Sequence, residues 1–233
     1  MLARYLIVLG FILFPLSYSK ILKGNESDVK KIRWFDQKNK VYVLQNRVHK
    51  KKDRILLNVG VIKGLENDYQ DTLGFLFGGQ YYWSENFGLG FTYRAYGHSD
   101  NNAYELLKKL NGVTPFLRRE KNLMGVTFLW SPFYGKINTF NQITYFDWYF
   151  GAGLGFLKSE SNSDSFKNSS GTNTFKREKN VTLLLKSGLK FYLTNTLDLR
   201  VEYLQKVFMA PTGLSEKDLR FKADLNLSVG FSF

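Results

Sequence analysis

Few residues of this chain can carry nucleophilic or metal chemistry. There is no cysteine, and the only histidines are His49 and His98. That removes a disulfide framework, a zinc-thiolate site and a cysteine-linked lipid anchor. His98, Ser99 and Asp100 are the side-chain types of a hydrolytic site. Consecutive residues of an extended strand point to opposite faces, however, so they do not converge as a nucleophile, a base and an orienting group must. Gly151-Ala152-Gly153-Leu154-Gly155 invites a nucleotide-loop reading, but neither its spacing nor a following helix matches a dinucleotide fingerprint. Small residues facing a crowded interior explain the run instead. The chain is expected not to be an enzyme and to hold no cofactor or metal. A lipid-modifying enzyme with a site near His98 stays open as an alternative.

The remaining charged residues follow a different rule. Arg94, Asp147, Lys186, Lys190, Asp198, Arg200, Glu202, Lys206, Lys222 and Asp224 fall between apolar residues at period two, which on a strand places them on one face. Six cations stand against four anions, with Tyr82, Tyr96 and Tyr149 on the same face. An unpaired buried charge costs several kcal/mol, so a packed and nearly neutral network is expected. Gly74, Gly78, Gly88, Gly90, Gly151, Gly153 and Gly155 leave room for the long side chains. A narrow channel past these charges is the other reading of the same pattern.

The elements that must present them are long alternating strands. From Phe221 to Phe233 the apolar residues Phe221, Ala223, Leu225, Leu227, Val229, Phe231 and Phe233 alternate with Lys222, Asp224, Asn226, Ser228, Gly230 and Ser232. Strands of soluble sheets run about five or six residues, whereas a tilted strand crossing a membrane needs about 9 to 11. Similar runs cover Ile55 to Ile62, Leu73 to Trp83, Phe87 to Tyr96, Met124 to Trp130, Phe146 to Phe156, Val181 to Phe191 and Leu197 to Lys206. Tight turns are expected at Ser84 to Asn86 and Leu193 to Thr196. Polar segments at Glu66 to Asp71, His98 to Lys121, Lys158 to Lys179 and Met209 to Leu219 are expected to be longer loops, with one or two helical turns at Ala103 to Leu110. Pro132 to Thr144 is long for a tight side and fits a short interfacial helix or a hairpin.

Eight strands joined by alternately short and long links predict an all-β fold: a closed antiparallel up-and-down transmembrane β-barrel with a basic periplasmic N-terminal tail. The chain holds 21 Phe, 14 Tyr and 4 Trp, and Tyr81, Trp83, Phe87, Trp130, Tyr134, Tyr145 and Trp148 gather near the expected short turns, as an interfacial girdle does. Met1 to Ser19, with Arg4, an apolar run of about a dozen residues and Ser17 and Ser19, reads as a cleaved signal peptide. Residues 20–53 then form the periplasmic tail and residues 54–233 the barrel. Lys20 to Arg54 hold twelve Lys and Arg against four acids, while the rest of the mature chain holds twenty against sixteen. This tail, including Lys50, Lys51 and Lys52, is either a solvated linker beside anionic headgroups, each cation worth ~1 kcal/mol, or a binding segment for a periplasmic partner. Export excludes nucleic acid.

Expected partners are outer-membrane lipids including lipopolysaccharide, whose phosphates suit Lys108, Lys109, Arg118, Arg119 and Lys121, the barrel-insertion machinery, and an unidentified surface or periplasmic protein. Val229, Phe231 and Phe233 form the alternating, Phe-ended pattern expected of an assembly signal. A monomer in the bacterial outer membrane is expected, with a structural or surface-interaction role.

Three motifs add to this: Val43-Leu44-Gln45-Asn46-Arg47, Trp130-Ser131-Pro132-Phe133-Tyr134-Gly135-Lys136 and Tyr145-Phe146-Asp147. In them the chain, from about residue 41 to 233, resembles the outer-membrane β-barrel domain family of the myxobacterial type. More loosely it is similar to OmpA-type eight-stranded barrels without a peptidoglycan-binding domain. The resemblance implies fold and location, and it transfers no site residue.

Overall fold

A computed structural model describes residues 47–65, 69–111, 115–139, 142–162, 175–211 and 218–233. The expected signal peptide, most of the basic tail and residues 43–46 of the Val43 to Arg47 motif lie outside them. Residues Arg47–Phe233 form one compact unit.

Eight antiparallel strands close into a ring: β1 (Arg54–Gly64), β2 (Gln70–Tyr82), β3 (Phe87–Asp100), β4 (Arg118–Thr139), β5 (Gln142–Ser161), β6 (Lys176–Tyr192), β7 (Leu197–Ala210) and β8 (Asp218–Ser232). Each pairs with its sequence neighbours, and β1 meets β8 from Leu56 opposite Ser232 to Gly64 opposite Asp224. Closure leaves no free edge, so every strand has ladder partners on both sides. The up-and-down eight-stranded barrel read from the alternation is the observed fold.

Period two sets the two faces. Phe75 on β2, Leu154 on β5, Leu183 on β6 and Leu227 on β8 are exposed on the outside. The inside holds two apolar clusters. Leu56, Tyr82, Leu129 and Tyr149 lie in the half nearer the strand β1 start, while Leu123, Leu157, Leu184 and Leu204, with Ile62 and Phe208, fill the other half. Gly153 marks a close approach: a Cβ there would collide with the Val126 carbonyl oxygen and the Thr127 Cα, so only glycine lets β4 and β5 lie so near.

The strands run further than the hydrophobic pattern. Ser99 and Asp100 continue β3, Arg118 to Lys121 open β4, and Ser161 still pairs with Lys176. These residues were expected in loops because both faces turn polar there, but the ladder pairing continues past the end of the apolar outer face. Between β3 and β4 lies helix α1 (Asn102–Asn111). The Asn101 side chain accepts from the Tyr104 N–H at 3.1 Å, and Glu105 in the first turn and Lys108 and Lys109 in the last complement the helix dipole. The Pro132 to Thr144 connection is a hairpin, with β4 and β5 paired out to Thr139 opposite Gln142.

Candidate functional site

The inward charges form the most organised polar assembly in the molecule. In the half remote from the β1 start, the Lys206 Nζ lies 2.8 Å from Asp224 and also meets Glu120. The Tyr96 hydroxyl donates to the other Asp224 oxygen at 2.7 Å. Arg94 crosses the lumen from β3, donating to Glu202 at 2.8 Å and to Asn226 at 2.9 Å. Glu202 is also reached by the Tyr149 hydroxyl at 2.9 Å and by Lys186 at 3.5 Å. Nearer the β1 start, Arg200 grips Asp198 with two N–H groups and reaches Asn58 at 3.4 Å. Burial without pairing would be severely unfavourable for any of these groups, and the geometry supplies the partners.

Two expected members behave differently. Lys222 sits at the remote rim, where its Nζ donates to the Arg118 carbonyl at 3.3 Å. Lys190 is fully buried, and its Nζ has no hydrogen-bond partner among the described residues. It lies 5.1 Å from the Tyr82 ring centre and 5.9 Å from that of Tyr149, so ring quadrupoles replace a carboxylate around the cation.

Two members escaped the sequence reading. Glu120 is inward and buried, but it stands in a segment expected to be loop. Lys51, expected among the solvated cations of the tail, instead enters the mouth beside the strand termini. Its Nζ is 2.9 Å from Asp147 and 5.2 Å from the Tyr82 ring centre. Asp53 takes a left-handed φ of 58°, which Asp tolerates better than most residues. The resulting turn, tied by Asp53 N–H to the Tyr82 carbonyl at 2.7 Å, aims Lys51 inward.

The rest of Arg47 to Asp53 covers that mouth. Glu85 accepts from the Lys51 and Lys52 N–H groups at 3.1 and 3.2 Å, and Arg47 lies 3.5 Å from Glu85 and donates to Asn86 at 3.0 Å. The His49 ring stacks on Tyr192 at 4.5 Å with 2° between the planes, and meets Tyr145 edge-on at 5.4 Å. Partial burial lowers the His49 pKa below 6.5, against the pull of Asp147. Burial likewise lowers the Lys51 pKa, opposed by Asp147.

Tyr134 and Tyr145 were expected among the interfacial aromatics near the short turns. They lie at that end, and Tyr134 faces the mouth, where it accepts from the His49 N–H at 3.4 Å, lies under Arg47 at 5.4 Å and stacks with Tyr145. The reason is a register shift between Trp130 and Phe133. One extra residue in a strand reverses the faces beyond it, so Phe133 faces outward and Tyr134 serves the mouth. Tyr81, Trp83, Phe87 and Trp130 remain exposed outside near the same end, and Trp148 packs between Phe133 and Phe150.

At the remote mouth, Leu117 is buried, and its N–H donates to the Asn162 side chain at 2.8 Å. Asn162 in turn donates to the Pro115 carbonyl at 3.0 Å. His98 lies below this closure, with one ring nitrogen 2.9 Å from the Thr72 hydroxyl and the other against the Glu120 carbonyl. Ser99 pairs across the ladder with Asp71, so the His98-Ser99-Asp100 sequence does not come together as a site. Val229 and Phe231 face outward beside β1, and the Phe233 N–H donates to the Ile55 carbonyl at 2.9 Å.

No protein-family model matches the chain, and no curated protein matches it. Among solved structures it is similar to the N-terminal β-barrel domain of Pseudomonas aeruginosa OprF, at 14% identity over 78% of this chain and 98% of that one, with a TM-score of 0.48. It is also similar to Neisserial surface protein A, at 14% identity over 77% and 96%, with a TM-score of 0.46. A third is Ail, the attachment invasion locus protein of Yersinia pestis, at 12% identity over 78% and 99%, with a TM-score of 0.39. The barrel assignment rests on the strand ladders themselves.

Proposed function

We propose that this chain is an outer-membrane β-barrel with a packed lumen and a structural or surface-interaction role, and that it is not an enzyme. One observation carries the reading: all around the ring exposed apolar side chains cover the outside while the inside holds paired charges. Soluble monomers rarely expose a continuous apolar surface beyond a few hundred Å², and a closed barrel is the strand arrangement that satisfies its backbone in hydrocarbon. The end with the short links, the aromatics and Arg47 to Asp53 faces the periplasm. The other end, with α1 and the segments Ser99 to Lys121 and Lys158 to Lys179, is the contact surface. The three quoted motifs support membership of the myxobacterial-type family, and a signal peptide ending at Ser19 supports export. Lipids, the insertion machinery and a surface or periplasmic protein are the partners of such a monomer.

The test is refolding into detergent, followed by electrophoresis before and after boiling and by planar-bilayer recording. The expected result is β-rich protein whose apparent mass changes on boiling and which gives no conductance steps. A helical circular-dichroism spectrum would sink the barrel reading, and regular open-channel steps the packed-lumen reading.

A further inference from the structure

The outer face of β4, β5 and β6 changes character abruptly toward the end remote from the β1 start and the β8 end. Met124, Phe156 and Val181 lie side by side on it, since Met124 pairs with Phe156 and Phe156 with Val181, and all three are exposed. One step further out along the same face, Lys158 pairs directly with Lys179, and both are exposed. Lys121 and Arg177 flank them.

Glu160 stands beside this row, and two cations already hold it: Lys121 at 3.3 Å and Arg177 at 3.2 Å. Lys158 and Lys179 have no acidic partner among the described residues. Like charges directly opposite across a ladder repel and destabilise the pair. On the proposed membrane reading, two facing ammonium groups one step beyond an apolar band sit at the height where acyl chains give way to headgroups, and a phosphate between them converts the repulsion into charge-assisted hydrogen bonds.

We propose that Lys158 and Lys179, supported by Lys121 and Arg177, bind the phosphate of a phosphorylated glycolipid of the outer leaflet whose acyl chains lie on Met124, Phe156 and Val181. The site rests on the reading of the chain as an outer-membrane barrel and names the lipid chemistry of one sector of its surface. The apolar residues beneath the lysines favour a lipid over a soluble anion, because only a lipid uses both.

The test compares the full chain with Lys158→Gln/Lys179→Gln, refolded into phosphatidylcholine vesicles with or without bisphosphorylated lipid A. A control variant, Lys63→Gln, removes an exposed cation that pairs with Asp71 at 3.0 Å in another sector. The readout is the temperature at which the compact electrophoretic band converts to the unfolded one. Lipid A should raise that temperature for wild type and for Lys63→Gln, and should raise it by less than half as much for the double variant. In phosphatidylcholine alone the double variant should be at least as stable as wild type, because its repulsion is gone.

An equal response of the double variant and wild type would overturn the proposal. So would the same rise with dephosphorylated lipid A, with inorganic phosphate, or with a soluble anionic polysaccharide that loses its effect in the double variant. If none of the proteins gives a heat-modifiable band in any vesicle, the membrane-barrel reading itself has failed and the site with it. Normal bands that do not respond to lipid A reject the site alone.

Discussion

The Lys51 ammonium lies 2.9 Å from the Asp147 carboxylate, with both side chains no more than 2% exposed, although Lys51 precedes the first strand and Asp147 belongs to the fifth. The pair fixes the pre-strand segment to the inside of the barrel. Removing one partner strands the other charge, at a cost of about 3 to 5 kcal/mol. Lys51→Met should therefore lower stability by that order in denaturant titrations of the refolded protein, and adding Asp147→Asn should restore most of it. A Lys51→Met protein as stable as wild type would mean that this side chain stays in solvent.

Arg200 offers the same test deeper in the lumen. Its guanidinium holds Asp198 through two N–H groups, so Arg200→Ala should destabilise by about 3 kcal/mol and leave bilayer recordings silent. Little stability loss together with new conductance would instead describe a watery pore.

His49 gives the mouth a pH dependence with a definite sign. Its pKa is lowered below 6.5 when the segment is docked, chiefly by burial, with Asp147 pulling the other way and Arg54 adding to the lowering. The undocked segment therefore binds a proton first as pH falls. Docking is fully stable above pH 6.5 and weakens below it, down to the lowered docked value. Proteolysis within Arg47 to Asp53 should accelerate as pH falls below 6.5, while His49→Phe, which keeps the ring on Tyr192, should show a flat profile. Acceleration in the Phe variant would assign the effect to another group.

Phe233 is exposed at the barrel rim and is tied to β1 through its N–H. Its deletion removes little buried apolar area, so stability should fall modestly. Reading Val229, Phe231 and Phe233 as the assembly signal predicts that the deletion protein refolds in vitro yet accumulates in the periplasm of cells. Wild-type amounts in the outer membrane would end that role for the last residue.

What the sequence makes legible here is whatever alternation controls. The faces of Arg94, Asp147, Glu202 and Asp224 follow from period two because an apolar outer face and a crowded, charged lumen demand opposite side chains at every step. The signal stops where one of those environments stops. Glu120 is a ladder residue beyond the apolar band, where both faces are polar and no pattern distinguishes strand from loop. Lys51 precedes the first alternating run, and only the left-handed turn at Asp53 brings it inside. Tyr134 is misplaced by the register shift at Ser131 and Pro132. Proline, which cannot donate to a ladder, was the one available warning.

The seam between β1 and β8 has a kinetic consequence. Each of the other ladders joins neighbours in sequence and can zip locally, but the seam pairs Leu56 with Ser232, so ring closure waits for the most distant contact in the barrel and carries the largest loop entropy. Until then both terminal strands present open edges able to template the strands of another molecule. The interval between the last hairpin and the seam is thus the stage at which misassembly competes with insertion, and a partner that shields β1 during that interval would act on yield without changing the finished barrel.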